Sequence, residues 1–290
     1  MRSILRLSES KMLKAGLVVL GMAAMTSGMS QPEDKSEGNF HKRLFVTVPD
    51  APYTEDDIAT EILFGRELTS KVLGKYPPLK NDQLNAYVNK VGQLVAQMSE
   101  RSELRYRFIV LDTDVINAFA APGGYIFVTK GALNNVEDES ELAAILAHEI
   151  GHVELRHYVK KVRLRSAKGN AEEGLGAILS GGGRAATQAF NEALDQTMEI
   201  LFSKGLQSKK DEFEADRTSV FLLANAGYDP TALMRYFNRI EKIHTSKMQI
   251  LAETHPPLAE RINEMDTLIE KNGLSTINLA KLQERFNENY

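Results

Sequence analysis

Cysteine is absent from this sequence of 290 residues, and the net charge is only -4. Without thiols, any zinc site must be built from histidine and carboxylate side chains, which excludes Cys-ligated structural zinc modules. The lack of cysteine does not fix the redox compartment, since such a protein can work in any of them. The weak negative charge gives no electrostatic basis for binding nucleic acid, so no nucleic-acid partner is expected.

Long apolar runs are also absent. Near the N-terminus, four basic residues precede an apolar stretch at residues 15–25, and small residues follow it. This stretch is shorter than the roughly 20 apolar residues that a comfortable transmembrane helix needs. We therefore expect a signal peptide at residues 1–30, an extended linker at 31–52 and a single domain at 53–290. An uncleaved membrane anchor is the alternative.

The domain combines amphipathic helices with short strands. Apolar residues recur at helical spacing in residues 54–76 and 82–98, and again in several later segments. Residues 106–112 and 125–129 are rich in β-branched and aromatic residues and are predicted to be strands, with Pro122-Gly-Gly124 in the loop between them. The pattern predicts an α+β fold that is mainly α-helical, with a small antiparallel sheet.

A glycine-rich segment interrupts the helical pattern at residues 168–184. Such a composition cannot hold a regular element for long, so it is predicted to be a surface loop. The alternative is a lid or a membrane-touching segment near the active site.

The most informative stretch is His-Glu-Ile-Gly-His at residues 148–152, inside an apolar run with helical spacing. Residues four apart share a helix face, so His148 and His152 can direct two ring nitrogens at one ion. Glu149 lies roughly 100° further round the helix, beside the ion rather than on it, where it can reach a bound water. Asp138 and Glu141 predict a capping box at the start of this helix. Because so short a motif also arises by chance, the metal site remains a hypothesis at this point.

A catalytic zinc usually takes three protein ligands and a water. Ligation by a third histidine of the same helix needs glycine and histidine where Leu155 and Tyr158 stand, so that pattern fails. Glu212 is the better candidate for the third ligand. Asp216, on the same helix face, is predicted to accept the free ring N–H of His148. The alternative for both carboxylates is a solvated acidic face.

At this point the chain resembles a known family. The 148–152 motif, followed by Arg156-His157, and the Glu212-Phe-Glu-Ala-Asp216-Arg217 segment are similar to those of zinc metallopeptidases related to HtpX, the prenyl-protein protease of the endoplasmic reticulum and the mitochondrial Oma-type proteases. The resemblance covers roughly residues 55–265 and is strongest for the exported bacterial BepA-like and LoiP-like members. Further counterparts are Glu61 with Gly65, Asn117-Ala-Phe-Ala120, Pro122-Gly-Gly124, Gly227-Tyr-Asp-Pro230 and Thr254-His-Pro256.

The resemblance implies a gluzincin core with one Zn²⁺ per chain, held by His148, His152 and Glu212. It also implies that Glu149 is the general base and that an extended peptide lies along an edge strand and its loop. His255 is predicted to approach the zinc as a lid ligand or to stabilise the oxyanion, with a packing role as the alternative. The residues expected to contact the substrate are Asn117, Gly123, Gly124, Tyr125 and Phe127.

The predicted function is that of a zinc-dependent endopeptidase of the bacterial envelope, located in the periplasm and in contact with a membrane or with outer-membrane assembly. Its expected substrates are unfolded or misassembled proteins, cleaved by metal-activated water with Glu149 as base. Two alternatives stay open. One is a chaperone-like protein that holds unfolded envelope proteins, and the other is a latent enzyme closed by the glycine-rich segment or by His255.

Overall fold

The first two helices of the domain begin at side chains that cap them. In the computed structural model, α1 (Glu55–Lys75) starts at Thr54, whose hydroxyl accepts a hydrogen bond from the Asp57 N–H while the Asp57 carboxylate accepts one from the Thr54 N–H. The side chain of Asn81 caps α2 (Asp82–Ala96) in a similar way. Both helices predicted for this part of the chain are confirmed. The structure describes residues 53–164, 184–206, 208–243, 255–276 and 279–290.

Three short strands form one sheet. They are β1 (Arg107–Leu111), β2 (Ala118–Ala121) and β3 (Tyr125–Thr129), in the order β1-β3-β2. β3 lies in the middle, parallel to β1 and antiparallel to β2. Every residue of β3 is buried, so the sheet is part of the core rather than a surface layer.

The sheet corrects one part of the sequence prediction. The α+β class, the helical majority and the two predicted strands are confirmed, but the sheet is mixed rather than antiparallel. The reason is β2, which falls in the segment predicted to be a loop. Its sequence, Ala-Phe-Ala-Ala, has little of the β-branched and aromatic content that marks a strand. Since β2 reverses the chain between β1 and β3, these two strands run parallel.

The turn between β2 and β3 packs tightly on α1. A Cβ atom at Gly65 would lie only 1.7 Å from the carbonyl oxygen of Pro122, so only glycine allows this approach. The Gly123 N–H donates to Oε1 of Glu61, a fully buried carboxylate that also pairs with Arg101 at 2.9 Å. These contacts fix the position of the sheet relative to α1.

A buried helix runs through the centre of the core. The short α3 (Lys130–Leu133) leads to α4 (Glu139–Glu154), which starts at Asp138 and is buried along its whole length. The chain then turns at Arg156, whose φ of 55° is in the left-handed region, and continues as α5 (His157–Lys161). This turn folds the residues after α4 back towards its last turn.

The remaining elements are helices, several of which pack on α4. The helix at Lys209–Ala226 (α7) is capped by Ser208, whose hydroxyl accepts from the Asp211 N–H, and it ends at Gly227, where a φ of 84° suits glycine. No helix within the described ranges is both long and apolar enough to cross a membrane. The elements are α6 (Arg184–Glu199) with a π-helical turn (Ile200–Lys204), α7 (Lys209–Ala226), α8 (Ala232–Ile240), α9 (Leu258–Lys271), a 3-10 turn (Leu274–Thr276) and α10 (Gln283–Asn289).

Three sequence predictions fall largely or wholly outside the described residues. They are the signal peptide at residues 1–30, the linker at 31–52 and the glycine-rich segment at 168–184, of which only residue 184 is described. They remain predictions.

Candidate metal centre

Two helices bring the three predicted metal ligands together. His148 and His152 lie one turn apart on α4, with their Nε2 atoms 3.0 Å from each other. α7 supplies Glu212, whose carboxylate oxygens lie 3.6 Å from Nε2 of His148 and 3.6 Å from Nε2 of His152. All three side chains are buried. Two nitrogens and one carboxylate from segments far apart in the sequence therefore face a common point.

The meeting of α4 and α7 depends on a glycine. A Cβ atom at Gly151 would lie 3.0 Å from the carbonyl oxygen of Ala215 and 3.2 Å from its Cα. Both of these are backbone atoms, which cannot move aside as a flexible side chain can. A larger residue at 151 would therefore push α7 away from α4 and carry Glu212 with it.

The donor set fits a divalent cation such as zinc. Oε2 of Glu149 and Oε2 of Glu212 are buried and have no hydrogen-bond partner among the described residues. A buried carboxylate oxygen without a hydrogen bond is costly in free energy, and a bound cation would reduce that cost at Glu212 beyond what the nearby Arg261 charge does. Two imidazoles and a carboxylate are also the protein ligands of many catalytic zinc sites.

Asp216 and Arg261 form a second layer around His148. Oδ1 of Asp216 lies 3.0 Å from Nδ1 of His148, the position predicted for it from the sequence. Arg261, on α9, is 1% exposed and donates two hydrogen bonds to the Asp216 carboxylate, at 2.6 and 2.7 Å. Its Nη1 also lies 3.3 Å from Oε2 of Glu212. Two buried carboxylates thus share one buried guanidinium.

The sequence analysis missed Arg261. A signal was present, because Arg261 stands four residues before Met265 and eight before Ile269, the two buried apolar residues of α9. A charged residue in the apolar stripe of an amphipathic helix has to be paired if it is buried. The partner of Arg261 cannot be predicted from the sequence of α9 alone.

Burial and neighbouring charges shift the pKa values of Glu149, His148 and Asp216 in different directions. Burial raises the pKa of Glu149 to about 7. Burial and Arg261 act to lower the pKa of His148, but the carboxylates of Asp216 and Glu212 outweigh them and raise it to about 9. Burial would raise the pKa of Asp216, yet the charge and hydrogen bonds of Arg261 hold it below the usual range. Glu149, beside the predicted metal ligands, is therefore the carboxyl group of this centre that is most easily protonated near neutral pH.

His157 fixes the orientation of His152. The Nδ1 atoms of these two buried histidines lie 2.9 Å apart. If Nε2 of His152 faces the metal, its Nδ1 carries the proton and donates to Nδ1 of His157. His157 then carries its own proton on Nε2, which lies 3.5 Å from Oε2 of Glu214. The sequence analysis missed this role of His157.

The same proton assignment bears on a second group of possible ligands. Donor atoms of His157, Asp211 and Glu214 lie within 4.8 Å of one another. However, Nε2 of His157 carries a proton whenever His152 is a metal ligand, so it has no lone pair for a second cation. If His152 is a metal ligand, this group orients His152 rather than binding an ion of its own.

His255 reaches the centre from the segment before α9. Its Nε2 lies 3.6 Å from Oε2 of Glu212, and one donor atom each from His255, His148 and Glu212 lie within 4.8 Å of one another. Its side chain is 15% exposed, so it closes one side of the centre without being sealed from solvent. His255 therefore lies beside the predicted ligands His148 and Glu212, and its role as a ligand or oxyanion donor stays a prediction.

Only Asn117 of the five expected substrate contacts lies beside the metal ligands, where it lines a cavity together with His148 and Glu149. Gly123 and Gly124 form the turn against α1, with φ values of 79° and 86°. They are absent from that cavity lining.

The structure also corrects the edge-strand expectation for Tyr125 and Phe127. Both belong to β3, the central strand, which is paired on both sides. Phe127 is fully buried and stacks on Phe119. Among the described residues β2 pairs only with β3, so the edge on this side of the sheet is β2.

Sequence comparisons agree with this geometry. The model of peptidase family M48 matches residues 82–269, which include both ligand-bearing helices and Arg261. A putative beta-barrel assembly-enhancing protease of Vibrio cholerae is 29% identical over 71% of this chain and 43% of its own length. The beta-barrel assembly-enhancing protease of Escherichia coli is 28% identical over 85% of this chain and 50% of its own length. The mitochondrial metalloendopeptidase OMA1 of Arabidopsis thaliana is 31% identical over 56% of this chain and 31% of its own length.

The chain thus spans half or less of the length of these curated relatives. The family model covers well over half of the chain itself. The chain belongs to peptidase family M48.

Proposed function

We propose that this chain is a zinc-dependent endopeptidase of the bacterial envelope that cleaves misfolded or misassembled proteins. The observation that carries the proposal is the buried Oε2 of Glu149, which has no hydrogen-bond partner among the described residues and belongs to the same cavity lining as His148. A buried carboxylate oxygen without a partner is costly in free energy, and a catalytic role explains why a fold would keep one. The export-like N-terminal composition and the relatives named for beta-barrel assembly support the envelope and its proteins as the setting.

His148, His152 and Glu212 would hold the zinc in this proposal. Zinc, when bound, polarises the scissile carbonyl and lowers the pKa of the attacking water to about 7. Glu149 takes a proton from the attacking water and delivers it to the leaving amine. In the metal-free protein burial raises the pKa of Glu149 to about 7, which favours a carboxylate that accepts a proton readily.

The surrounding residues hold these groups in place. Asp216 accepts the ring N–H of His148, and His157 accepts that of His152, so each ligand keeps the tautomer that leaves Nε2 free for the metal. In this proposal an extended peptide would pair with the main chain at Ala118, the partly exposed start of the edge strand β2. Pairing of this kind gives affinity with little sequence demand, which suits substrates recognised by being unfolded.

The test is cleavage of casein and of a heat-unfolded protein by the full chain. We expect fragments with zinc, none after removal of the metal by a chelator, and recovery when zinc is added back. Glu149→Gln is expected to keep its zinc and lose cleavage, whereas His148→Ala is expected to lose zinc. Cleavage that survives both the chelator and Glu149→Gln would rule the proposal out. A zinc-loaded wild type that only suppresses aggregation would favour the chaperone-like alternative.

A latent form of the same enzyme is the second candidate, because Nε2 of His255 lies 3.6 Å from the Glu212 carboxylate. A fourth ligand, the nitrogen of His255, would occupy the position that a catalytic site keeps open for water or substrate. His255→Ala is expected to raise casein cleavage if His255 blocks the site, and to lower it if His255 stabilises the oxyanion. Unchanged cleavage and zinc content would exclude both roles.

A further inference from the structure

A second cavity lies at the other end of α4, where α2 and α10 approach each other. Its volume is about 260 Å³, just below the roughly 300–1,000 Å³ of ligand pockets, so it suits a small ligand or the end of a larger one. Glu139, one of its lining residues, stands ten residues before Glu149 on α4, which is about 15 Å at the helical rise per residue. The cavity is therefore separate from the candidate metal centre.

One wall of this cavity is apolar. Tyr87, Val91 and Leu94 line it from α2, and their spacing of four and then three residues places them in one stripe along the helix. Tyr87 and Val91 are buried, whereas Leu94 is 38% exposed and is one of the few large apolar side chains that the described residues leave at the surface. An apolar group in the cavity would cover Leu94 and gain free energy by doing so.

The charged groups of the cavity favour an anion. The carboxylate of Glu139 accepts hydrogen bonds from the hydroxyls of Tyr87 and Tyr228. It also accepts from Nε and Nη2 of Arg285, which leaves Nη1 of this half-exposed side chain without a hydrogen bond to the described part of the chain. Lys90 is exposed and forms no ion pair with a described residue. Two positive charges and one negative charge leave a net charge of +1 around the cavity.

Asn289 adds a hydrogen-bond acceptor to the lining. Its side-chain N–H donates to the carbonyl oxygen of Arg285, one turn earlier on α10, at 2.8 Å. Its side-chain oxygen accepts no hydrogen bond within the described ranges, so it can accept one from the N–H of a ligand. The cavity thus offers an apolar surface, donors for an anion and an acceptor for an N–H group.

We infer that this cavity binds the C-terminal residue of a polypeptide whose last side chain is apolar. Lys90 and Arg285 bind the terminal carboxylate, and the apolar side chain packs on the α2 stripe at Leu94. Asn289 accepts the main-chain N–H of the same residue. An alkyl carboxylate supplies the charge and the apolar group but has no N–H for Asn289. The inference does not depend on the proposed peptidase function, because none of the predicted metal ligands lines this cavity.

The first test compares four small ligands by calorimetric titration into the zinc-loaded full chain. N-acetylleucine carries all three recognised groups, whereas N-acetylglycine lacks the side chain, N-acetylleucinamide lacks the charge and octanoate lacks the N–H. One buried methylene changes affinity about fourfold, so N-acetylleucine should bind at least about tenfold more tightly than N-acetylglycine. Loss of the hydrogen bonds to a charged group should weaken N-acetylleucinamide by about tenfold as well.

Two results of this series would overturn the inference. Equal affinity of N-acetylleucine and its amide, or no binding of N-acetylleucine, would show that the cavity does not recognise a terminal carboxylate. Tighter binding of octanoate than of N-acetylleucine would make the ligand an alkyl acid rather than the end of a polypeptide.

Two substitutions of exposed residues then test whether binding occurs in this cavity. An exposed ion pair contributes up to about fivefold in affinity and a reversed charge adds repulsion, so Lys90→Glu should weaken N-acetylleucine binding by roughly tenfold. Lys80→Glu is its control, because Lys80 is also exposed and lies outside the cavity lining. Leu94→Gln should weaken binding about fourfold. Its control is Leu63→Gln, because Leu63 is 39% exposed on α1 and does not line the cavity.

The two pairs of variants decide where the ligand binds. Weaker binding in both cavity variants, with wild-type affinity in both controls, would support the assignment. If the controls weaken binding as much as the cavity variants, or if neither cavity variant weakens it, the ligand binds elsewhere, for example at the zinc, and the inference is wrong.

Discussion

The buried carboxylates near the two ends of α4 differ in their hydrogen-bond partners. At the N-terminal end, Glu139 accepts hydrogen bonds from Tyr87, Tyr228 and Arg285. At the C-terminal end, Glu149 has an oxygen with no hydrogen-bond partner among the described residues. Both side chains are almost fully buried, at 1% and 4% exposure, so burial alone does not distinguish them.

Their pKa values differ because their partners differ. Burial acts to raise the pKa of Glu139, but the hydrogen bonds from Arg285, Tyr228 and Tyr87 outweigh it, and the net pKa is lowered. At Glu149 burial prevails and the pKa rises to about 7. At the N-terminal end of α4 the buried carboxylate of Glu139 therefore stabilises the fold. At the C-terminal end the carboxylate of Glu149 can exchange a proton near neutral pH, which is what a catalytic base requires.

The sharpest test of this comparison is Glu149→Gln. General-base catalysis typically contributes roughly 10²- to 10⁴-fold, so casein cleavage should fall by about that factor. Zinc content should stay at the wild-type level, because Glu149 is not a ligand. The free energy of unfolding should be unchanged or higher, because the variant removes a carboxylate that is unfavourable to bury in its charged form. Cleavage rate, metal analysis and chemical denaturation measure the three quantities.

A loss of stability or of zinc in Glu149→Gln would break the comparison. In either case Glu149 would be part of the structural framework, as Glu139 is.

The matching test at the other end is Glu141→Gln. Glu141 is fully buried and accepts hydrogen bonds from Arg235 and Arg239. Breaking a buried ion pair costs about 3–5 kcal/mol, and we expect about 3 because both arginines are roughly a quarter exposed and keep other carboxylate partners. The loss is measured by urea denaturation of the zinc-free protein. Zinc affinity should not change, and a change there would mean that the two ends are coupled.

The local features of the ligand helix could be predicted from the sequence because they depend on spacing. The four-residue separation of His148 and His152 follows from helix geometry alone, and the two rings lie together as expected. Asp138 caps the helix as predicted, but the other half of the predicted capping box is absent, because the Glu141 carboxylate accepts from the Glu137 N–H. The meeting with Glu212 was expected from chemistry, since two histidines do not complete a catalytic zinc site.

The missed features depend on contacts between distant segments. β2 exists because β3 provides a partner, although its alanines have little strand propensity of their own. Arg261 is buried because Asp216 neutralises it, and these two residues lie on different helices. The cavity beside the predicted metal ligands arises where α8 and α4 meet the strand end, which no single stretch of sequence reveals.

Asp216→Asn tests the layer behind the metal ligands. An asparagine can place an N–H where the carboxylate accepts the ring N–H of His148, which would favour the wrong tautomer. Changes to such supporting residues typically lower metal affinity by roughly 10- to 100-fold. Competition with a chelator of known affinity measures the effect. Asp229→Asn is the control, since Asp229 pairs with Arg235 at the other end of α4. Equal zinc affinity in both variants would show that Asp216 supports only the fold.

The last test of the comparison is the pH dependence of zinc binding. In the zinc-free protein, the carboxylates of Asp216 and Glu212 raise the pKa of His148 to about 9 against the opposing effect of burial, so this histidine is protonated at neutral pH. A metal ligand must be neutral, and each zinc bound near pH 7 should therefore displace about one proton from His148. The sign follows directly: zinc affinity rises with pH, about tenfold per unit between pH 7 and 9, and levels off above that. Calorimetric titration in buffers of different ionisation enthalpy counts the released proton.

In Asp216→Asn the rise of zinc affinity with pH should flatten at a lower pH, because one carboxylate that favours the protonated ring of His148 is gone. If the slope is the same in that variant, the proton comes from another group, and the contrast between the two ends of α4 would no longer explain how the centre accepts its metal.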